Sequence, residues 1–223
     1  MIPEIRNSHL VDPSEVADRI SLVREEIIRA GGVGVQLVAV TKSFPRDAIA
    51  AAVLGGCDAV GENYAQELLA KVEEGLPPVD IHFIGGLQSN KVKSIAPHVA
   101  LWQSVDSMSV IHEIAKRAPG ARILLQVNTT GELTKGGIAP HDVASFFDVA
   151  VQAGLDVEGL MTIGPTATGV SERERSFTTL RRMVDEMGLS VCSMGMSDDF
   201  VQAVECGSTM VRVGSRLFGQ RLT

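Results

Sequence analysis

The chain has 223 residues, which suits one large domain or two small ones. Hydrophobic residues make up 45% and aromatics only 4%, so a sizeable core can form but must be mostly aliphatic. The net charge of −7 argues against a nucleic-acid backbone as main partner, though not against a local basic pocket for a phosphate.

The three cysteines, Cys57, Cys192 and Cys206, are far apart and form no C-x-x-C pair. They fit neither a disulfide framework nor a zinc site, and point to a reducing compartment. Residues 1–10 have charges and no apolar stretch, so no signal peptide is expected. No apolar run approaches the length of a membrane span. The expectation is a soluble, cytoplasmic protein without a membrane partner.

In chain order, Asp12-Pro13-Ser14-Glu15 has the form of a helix start, with Asp12 as N-cap, Pro13 at N1 and Glu15 at N3. Val16, Ile20, Val23, Ile27 and Ile28 then recur at helical spacing until Gly31-Gly32. Residues 37–42 form a short apolar run ending on Lys42, which suits a strand buried on both faces. Further helices are predicted over 46–54, 65–74, 89–96, 107–117, 141–153, 172–187, 198–206 and 216–218. Strands are predicted over 58–61, 80–84, 100–105, 122–128, 157–163, 190–194 and 209–213, with a long polar loop over 129–137.

That makes eight strands, each followed by a helix, plus one extra helix at the front. Such alternation implies a parallel sheet, and eight units in this length imply a single-domain (β/α)8 TIM barrel across residues 1–223. The alternative is an open doubly wound sheet, but Gly32-Val33-Gly34 precedes a strand where a dinucleotide fingerprint would follow one.

Ligand groups of a barrel gather at the carboxyl ends of the strands. Those ends hold Lys42, Asn63, Gly85-Gly86, Asp106, Asn128-Thr129, Gly164-Pro165, Gly195-Met196-Ser197 and Gly214-Ser215. The last two strand ends form a barrel's customary phosphate site, where helix N-termini offer free amides. Ser197 suits either a phosphate contact or an ordinary N-cap. Arg212, between Val211 and Val213, shares a strand face with Met210 and Gly214. It needs an ion pair inside the barrel or a ligand, and with Lys42 and a phosphate site on the same rim the ligand is preferred.

An amine, a phosphate site and an inward arginine together suggest pyridoxal 5′-phosphate (PLP) bound to Lys42 as a Schiff base. Arginine stays protonated, so opposite a pyridine nitrogen it donates a hydrogen bond and leaves that nitrogen neutral. A neutral ring is a weaker electron sink than a pyridinium, which suits storage better than broad amino-acid chemistry.

The motifs A-V-T-K at 39–42, G-E-N-Y-A-Q-E at 61–67, H-F-I-G at 82–85, L-Q-S-N-K at 87–91 and K-G-G-I at 135–138 run along the chain in order. G-L-M-T-I at 159–163, M-G-M-S-D-D at 194–199, and G-S-T-M-V-R-V-G at 207–214 with Phe218-Gly219 complete them. This set resembles the pyridoxal phosphate homeostasis proteins, a PLP-binding family related to the barrel domain of alanine racemase. Gly86 departs from the usual bulkier residue. The resemblance implies PLP on Lys42, Asn63 near its ring, Arg212 at the pyridine nitrogen, and Ser197, Gly214 and Ser215 at the phosphate. It also implies a carrier that buffers intracellular vitamin B6 and amino-acid and keto-acid balance without established turnover. PLP-dependent apoenzymes are candidate recipients.

The alternative reading is a PLP-dependent amino-acid racemase. The related racemases take their second base, a tyrosine, from a further domain across a dimer. This chain ends at Thr223 and its only tyrosine, Tyr64, follows Asn63, so racemisation is expected to be absent or vestigial and the chain monomeric. A Schiff-base aldolase acting on a sugar phosphate would use the same lysine and phosphate site. His9, His98, His112 and His141 have no second ligand nearby, and His82 reads as a satisfied core histidine. Lys91, Lys93 and Lys135 read as solvated rim charges, with the alternative for Lys135, in its glycine-flanked loop, of approaching the cofactor or a partner. No metal site is expected.

Overall fold

Short aliphatic runs become strands because each can be buried on both faces, and in the computed structural model they close into one parallel barrel in chain order, β1 beside β8. The structure describes residues 11–132, 135–165 and 169–219. The expectations about residues 1–10, His9 included, lie outside these.

The strands are β1 (Gln36–Val40), β2 (Ala59–Glu62), β3 (Ile81–Phe83), β4 (Leu101–Val105), β5 (Arg122–Gln126), β6 (Asp156–Met161), β7 (Val191–Ser193) and β8 (Met210–Val213). The helices that follow them are α2 (Arg46–Leu54), α3 (Ala65–Glu73), α4 (Ser89–Ile95), α5 (Met108–Arg117), α6 (Val143–Gln152), α7 (Val170–Glu186), α8 (Phe200–Glu205) and α9 (Ser215–Phe218), with α1 (Pro13–Arg29) in front. The expected eight-unit barrel and its extra helix are therefore both present. No helix of the described residues is long and apolar enough to cross a membrane.

Two boundaries differ in ways that matter for the rim. The first strand ends at Val40, not Lys42, because the Thr41 carbonyl accepts a local hydrogen bond from Phe44 N–H at 3.1 Å and turns the chain. Helix α8 begins at Phe200, not Asp198, because the Met196 carbonyl accepts from both Asp199 N–H and Phe200 N–H, making a turn first.

The α1 start is as the sequence predicts: Asp12 accepts from Ser14 N–H at 2.9 Å, with Pro13 in the first turn. Val16, Ile20, Val23 and Ile27 are buried, and α1 packs on α2, α8 and α9. The main core lies between barrel and helices and includes Leu37, Ile49, Leu68, Trp102, Ile111, Leu125, Leu160, Phe177 and Val211. A smaller cluster inside the barrel comprises Val38, Ala59, Leu101, Leu124, Met161 and Met210. These residues alternate with the outward ones along each strand, which identifies the inward face.

Glycine is required where β6 meets β7. Gly159 pairs with Val191, and a Cβ at Gly159 would lie 1.8 Å from the Val191 carbonyl oxygen. That atom belongs to the backbone ladder and cannot move aside. Gly159→Ala is expected to cost about 3 kcal/mol or more of stability, measured by urea unfolding of the purified variant. A loss below about 1 kcal/mol would mean that the two strands can separate without penalty.

Candidate functional site

The closed order places β7, β8, β1 and β2 side by side, and the six predicted site residues fall on this arc. Val38 pairs with Arg212 on one side and Ala59 on the other, and Val40 pairs with Gly61. Half-buried Lys42 lies just past the end of β1, in the turn that follows it. Asn63 follows β2 in the same sense, and its buried Oδ1 has no hydrogen-bond partner among the described residues. A Cβ at Gly214 would meet the Val40 side chain and carbonyl at 3.3 Å, so β8 and β1 approach closely at the rim.

Arg212 is buried, and its described partners are neutral. Nη1 donates to Ser193 Oγ at 2.6 Å and Nη2 to the Thr162 carbonyl at 2.7 Å. The structural ion pair considered from sequence does not form among the described residues. Burial pushes the guanidinium down to about 10, with Asp199 opposing from outside ion-pair distance. It remains a cation at neutral pH. A buried guanidinium without a carboxylate is costly, so an acceptor brought by a ligand would be stabilised there.

Lys42 sits in a turn anchored from outside the barrel. Thr41 and Glu62 point away from the interior, toward α3. The buried Lys71 ammonium donates to Glu62 Oε1 at 2.6 Å, to the Thr41 carbonyl at 2.8 Å, and pairs with Glu67 Oε1 at 2.9 Å. The Thr41 hydroxyl donates to Glu62 Oε1 at 2.7 Å, and Glu67 accepts from Ser43 N–H. The residues on both sides of Lys42 are thus fixed to α3. Ser43 takes φ +63°, an uncommon conformation for a residue with a side chain, held by that contact with Glu67. Burial pushes the Glu62 carboxyl upward, against Lys71 and Thr41. Sequence reasoning missed this network. Its signal was an acid at the end of a buried strand, followed by Glu67 and Lys71 at helical i,i+4 spacing.

Ser197 does not cap the helix that follows it. Its Oγ accepts from Gly214 N–H at 3.1 Å and Arg216 N–H at 3.5 Å, so it caps the start of α9 across the rim. Asp199 holds the loop by accepting from Met196 N–H at 2.6 Å. Gly195 has φ +94°, and a Cβ there would lie 2.9 Å from Phe200 Cα and 2.6 Å from Ala203 Cβ. The loops after β7 and β8 therefore meet closely, with exposed Ser215 at the start of α9.

Across the mouth, Asn128 organises the loop after β5. Its Oδ1 accepts from Thr130 and Gly131 N–H, and its Nδ2 donates to the Glu132 and Lys135 carbonyls. Lys135 is largely buried and donates to the Gly164 carbonyl, which corrects the solvated reading. Burial pushes the Asp106 carboxyl upward beside this loop. His82 is inside the barrel, with Nδ1 2.8 Å from Gln103 Nε2, as a satisfied core histidine should be.

The residues present fit PLP: among the described residues Arg212 has no carboxylate partner and Asn63 Oδ1 no hydrogen-bond partner, and a glycine-lined seat lies beside Ser197. Comparison with known proteins agrees. The family described as "Alanine racemase, N-terminal domain" matches residues 11–222. A pyridoxal phosphate homeostasis protein of Aquifex aeolicus is 38% identical over 92% of this chain and 97% of its own. One from Pseudomonas aeruginosa is 36% identical over 93% and 96%. The structure of PipY from Synechococcus elongatus, with PLP bound, is 32% identical, with a TM-score of 0.81 over 92% of this chain and 100% of that one.

Two outcomes are expected. Lys71→Met leaves Glu62 buried without its cation and should cost about 3–5 kcal/mol in urea unfolding. Replacing both residues by apolar ones should recover a good part of that loss. The second outcome concerns pH. Burial pushes His82 from 6.5 down to about 4, so between those values the unfolded chain takes up a proton that the native one does not. Stability should therefore fall as pH drops through this window, by about 3 kcal/mol from His82, and level off below it. Unfolding curves across that range should be flatter for His82→Gln.

Proposed function

Because the chain belongs to the pyridoxal phosphate homeostasis protein family, we propose that it holds PLP on the β7–β8–β1–β2 rim as an intracellular carrier and buffer. The observation that carries this reading is Arg212, a buried cation with neutral partners, one strand away from Lys42. When bound, PLP supplies an aldehyde that can join an amine as a Schiff base, and a ring that can accept electrons. Lys42 is assigned the covalent attachment and Asn63 the edge of the ring. Ser197, Gly214 and Ser215 are assigned the phosphate, Ser197 through its hydroxyl proton and Ser215 at the start of α9, while Gly214, whose N–H donates to Ser197 Oγ, has no side chain to keep the phosphate away.

Arg212 is assigned the pyridine nitrogen, and its chemistry limits what the site can do. As a cation with donors only, it leaves that nitrogen unprotonated and the ring a weak electron sink. Lys42 offers a proton acceptor on one side only. Tyr64, the only tyrosine, is half-exposed where α3 begins. The arrangement favours holding over turnover, in keeping with a cytoplasmic monomer that balances vitamin B6 and amino-acid and keto-acid pools. PLP-dependent apoenzymes are its proposed recipients.

The visible spectrum tests this. Purified protein given PLP should develop a long-wavelength band that borohydride abolishes and that Lys42→Ala lacks. Arg212→Ala should keep a band at a changed wavelength and bind about tenfold to a hundredfold more weakly, as loss of a charge-assisted hydrogen bond implies. A protein that no added PLP colours would sink the proposal. Alanine racemisation at an ordinary enzymatic rate, dependent on Lys42, would replace the carrier by an enzyme.

A further inference from the structure

Ser193, Gln103 and His82 fill the barrel interior beside Arg212, and all of them are buried. The directions of their hydrogen bonds are forced. Arg212 has donors only, so Nη1 donates to Ser193 Oγ at 2.6 Å. The Ser193 hydroxyl sends its own proton onward to Gln103 Oε1, 2.7 Å away. With that oxygen engaged, Gln103 turns Nε2 toward His82 Nδ1 at 2.8 Å, where an unprotonated ring nitrogen must accept. Met210 Sδ, at 3.1 Å from the same Nε2, accepts from the amide as well. A flipped amide would aim a second donor at Ser193 and leave the hydroxyl proton without an acceptor in the buried interior.

We infer that His82, Gln103 and Ser193 are positioning residues for Arg212: a one-way donor chain, ended by a neutral imidazole protonated on Nε2, that fixes the plane of the guanidinium. The Thr162 carbonyl is a second anchor, on Nη2. Two anchors on different nitrogens set an orientation, whereas one leaves the group free to rotate. The burial of His82 supports the neutral form independently, since it holds the ring's proton affinity down. The spectral consequence rests on the reading of Arg212 as the partner of the PLP ring nitrogen. The chain itself does not.

Nitrogen NMR of histidine-labelled protein without PLP reads the chain directly. His82, assigned by its loss in His82→Gln, should show an unprotonated Nδ1 and a protonated Nε2 at neutral pH. A proton on Nδ1 would overturn the inference whatever the variants do. In PLP titrations, Ser193→Ala should shift the absorbance band and weaken binding about threefold to tenfold. Ser193→Thr, which keeps the hydroxyl, should restore both. Unchanged band and affinity in Ser193→Ala would also overturn the positioning role. Absence of any Lys42-dependent band in the wild type would instead remove the PLP reading, and the nitrogen spectra alone would then decide the chain.

Discussion

Arg212 donates to a serine hydroxyl and a backbone carbonyl inside the barrel, and no carboxylate among the described residues forms an ion pair with it. Burying such a cation opposes folding, and the interior is arranged to limit that cost while keeping the guanidinium available. Neutral acceptors hold it without cancelling its charge, so its remaining N–H groups stay suited to an acceptor that arrives later. The apolar cluster of Val38, Ala59, Leu101, Leu124, Met161 and Met210 occupies much of the remaining interior. Ser193 and the Thr162 carbonyl supply the polar contacts that the cation requires, and Gln103 and His82 in turn support Ser193. An acid in place of Ser193 would have given Arg212 an internal ion pair.

The lysine side follows the opposite rule. Lys71, also buried, has two carboxylates, Glu62 and Glu67, and its charge is used up in the structure. Buried ion pairs are poor sources of net stability, and in some proteins they serve to specify one geometry. Here the geometry concerns the backbone on either side of Lys42. Thr41 is held through its carbonyl and hydroxyl, Ser43 through its amide, and the strained turn between them has few alternatives. Two cations of similar burial thus differ in function because of their partners. One fixes a loop, and the other has only neutral partners among the described residues, as the proposed ligand contact requires.

The fold was legible because each unit announces itself locally. Valine-rich runs, glycine stops and the Asp12-Pro13 start all act within a few residues, so eight units and a leading helix could be counted. The rim residues were legible because barrel strand ends are known once the strands are. Partnerships were harder. That Ser197 caps α9 depends on β7 and β8 bringing two loops together, and nothing near Ser197 in the sequence points to Gly214. The partners of Arg212, Ser193 and Thr162, were hidden for the same reason: they are set by which interior side chains share a level after closure. Glu62 and Lys71 lie close in sequence, but only the outward turn of Glu62 at the end of β2 makes them meet.

The extra helix at the front also has a mechanical reason. Helix α9 has four residues, too few to be stable by its own hydrogen bonds. Its position must come from tertiary contacts, and α1 supplies several of them. Arg19 donates to the Leu217 carbonyl at 3.1 Å, Glu26 pairs with Arg216, and Leu217 is fully buried. From the barrel side, Phe44 packs on Phe218 with ring centroids 5.1 Å apart. Phe44 lies two residues after Lys42, so this ring pair connects the lysine turn to the helix whose first amides meet Ser197. The amine and the proposed phosphate seat are therefore placed relative to each other by the β1–β8 pairing, and α1 with the Phe44–Phe218 contact holds α9 to that reference.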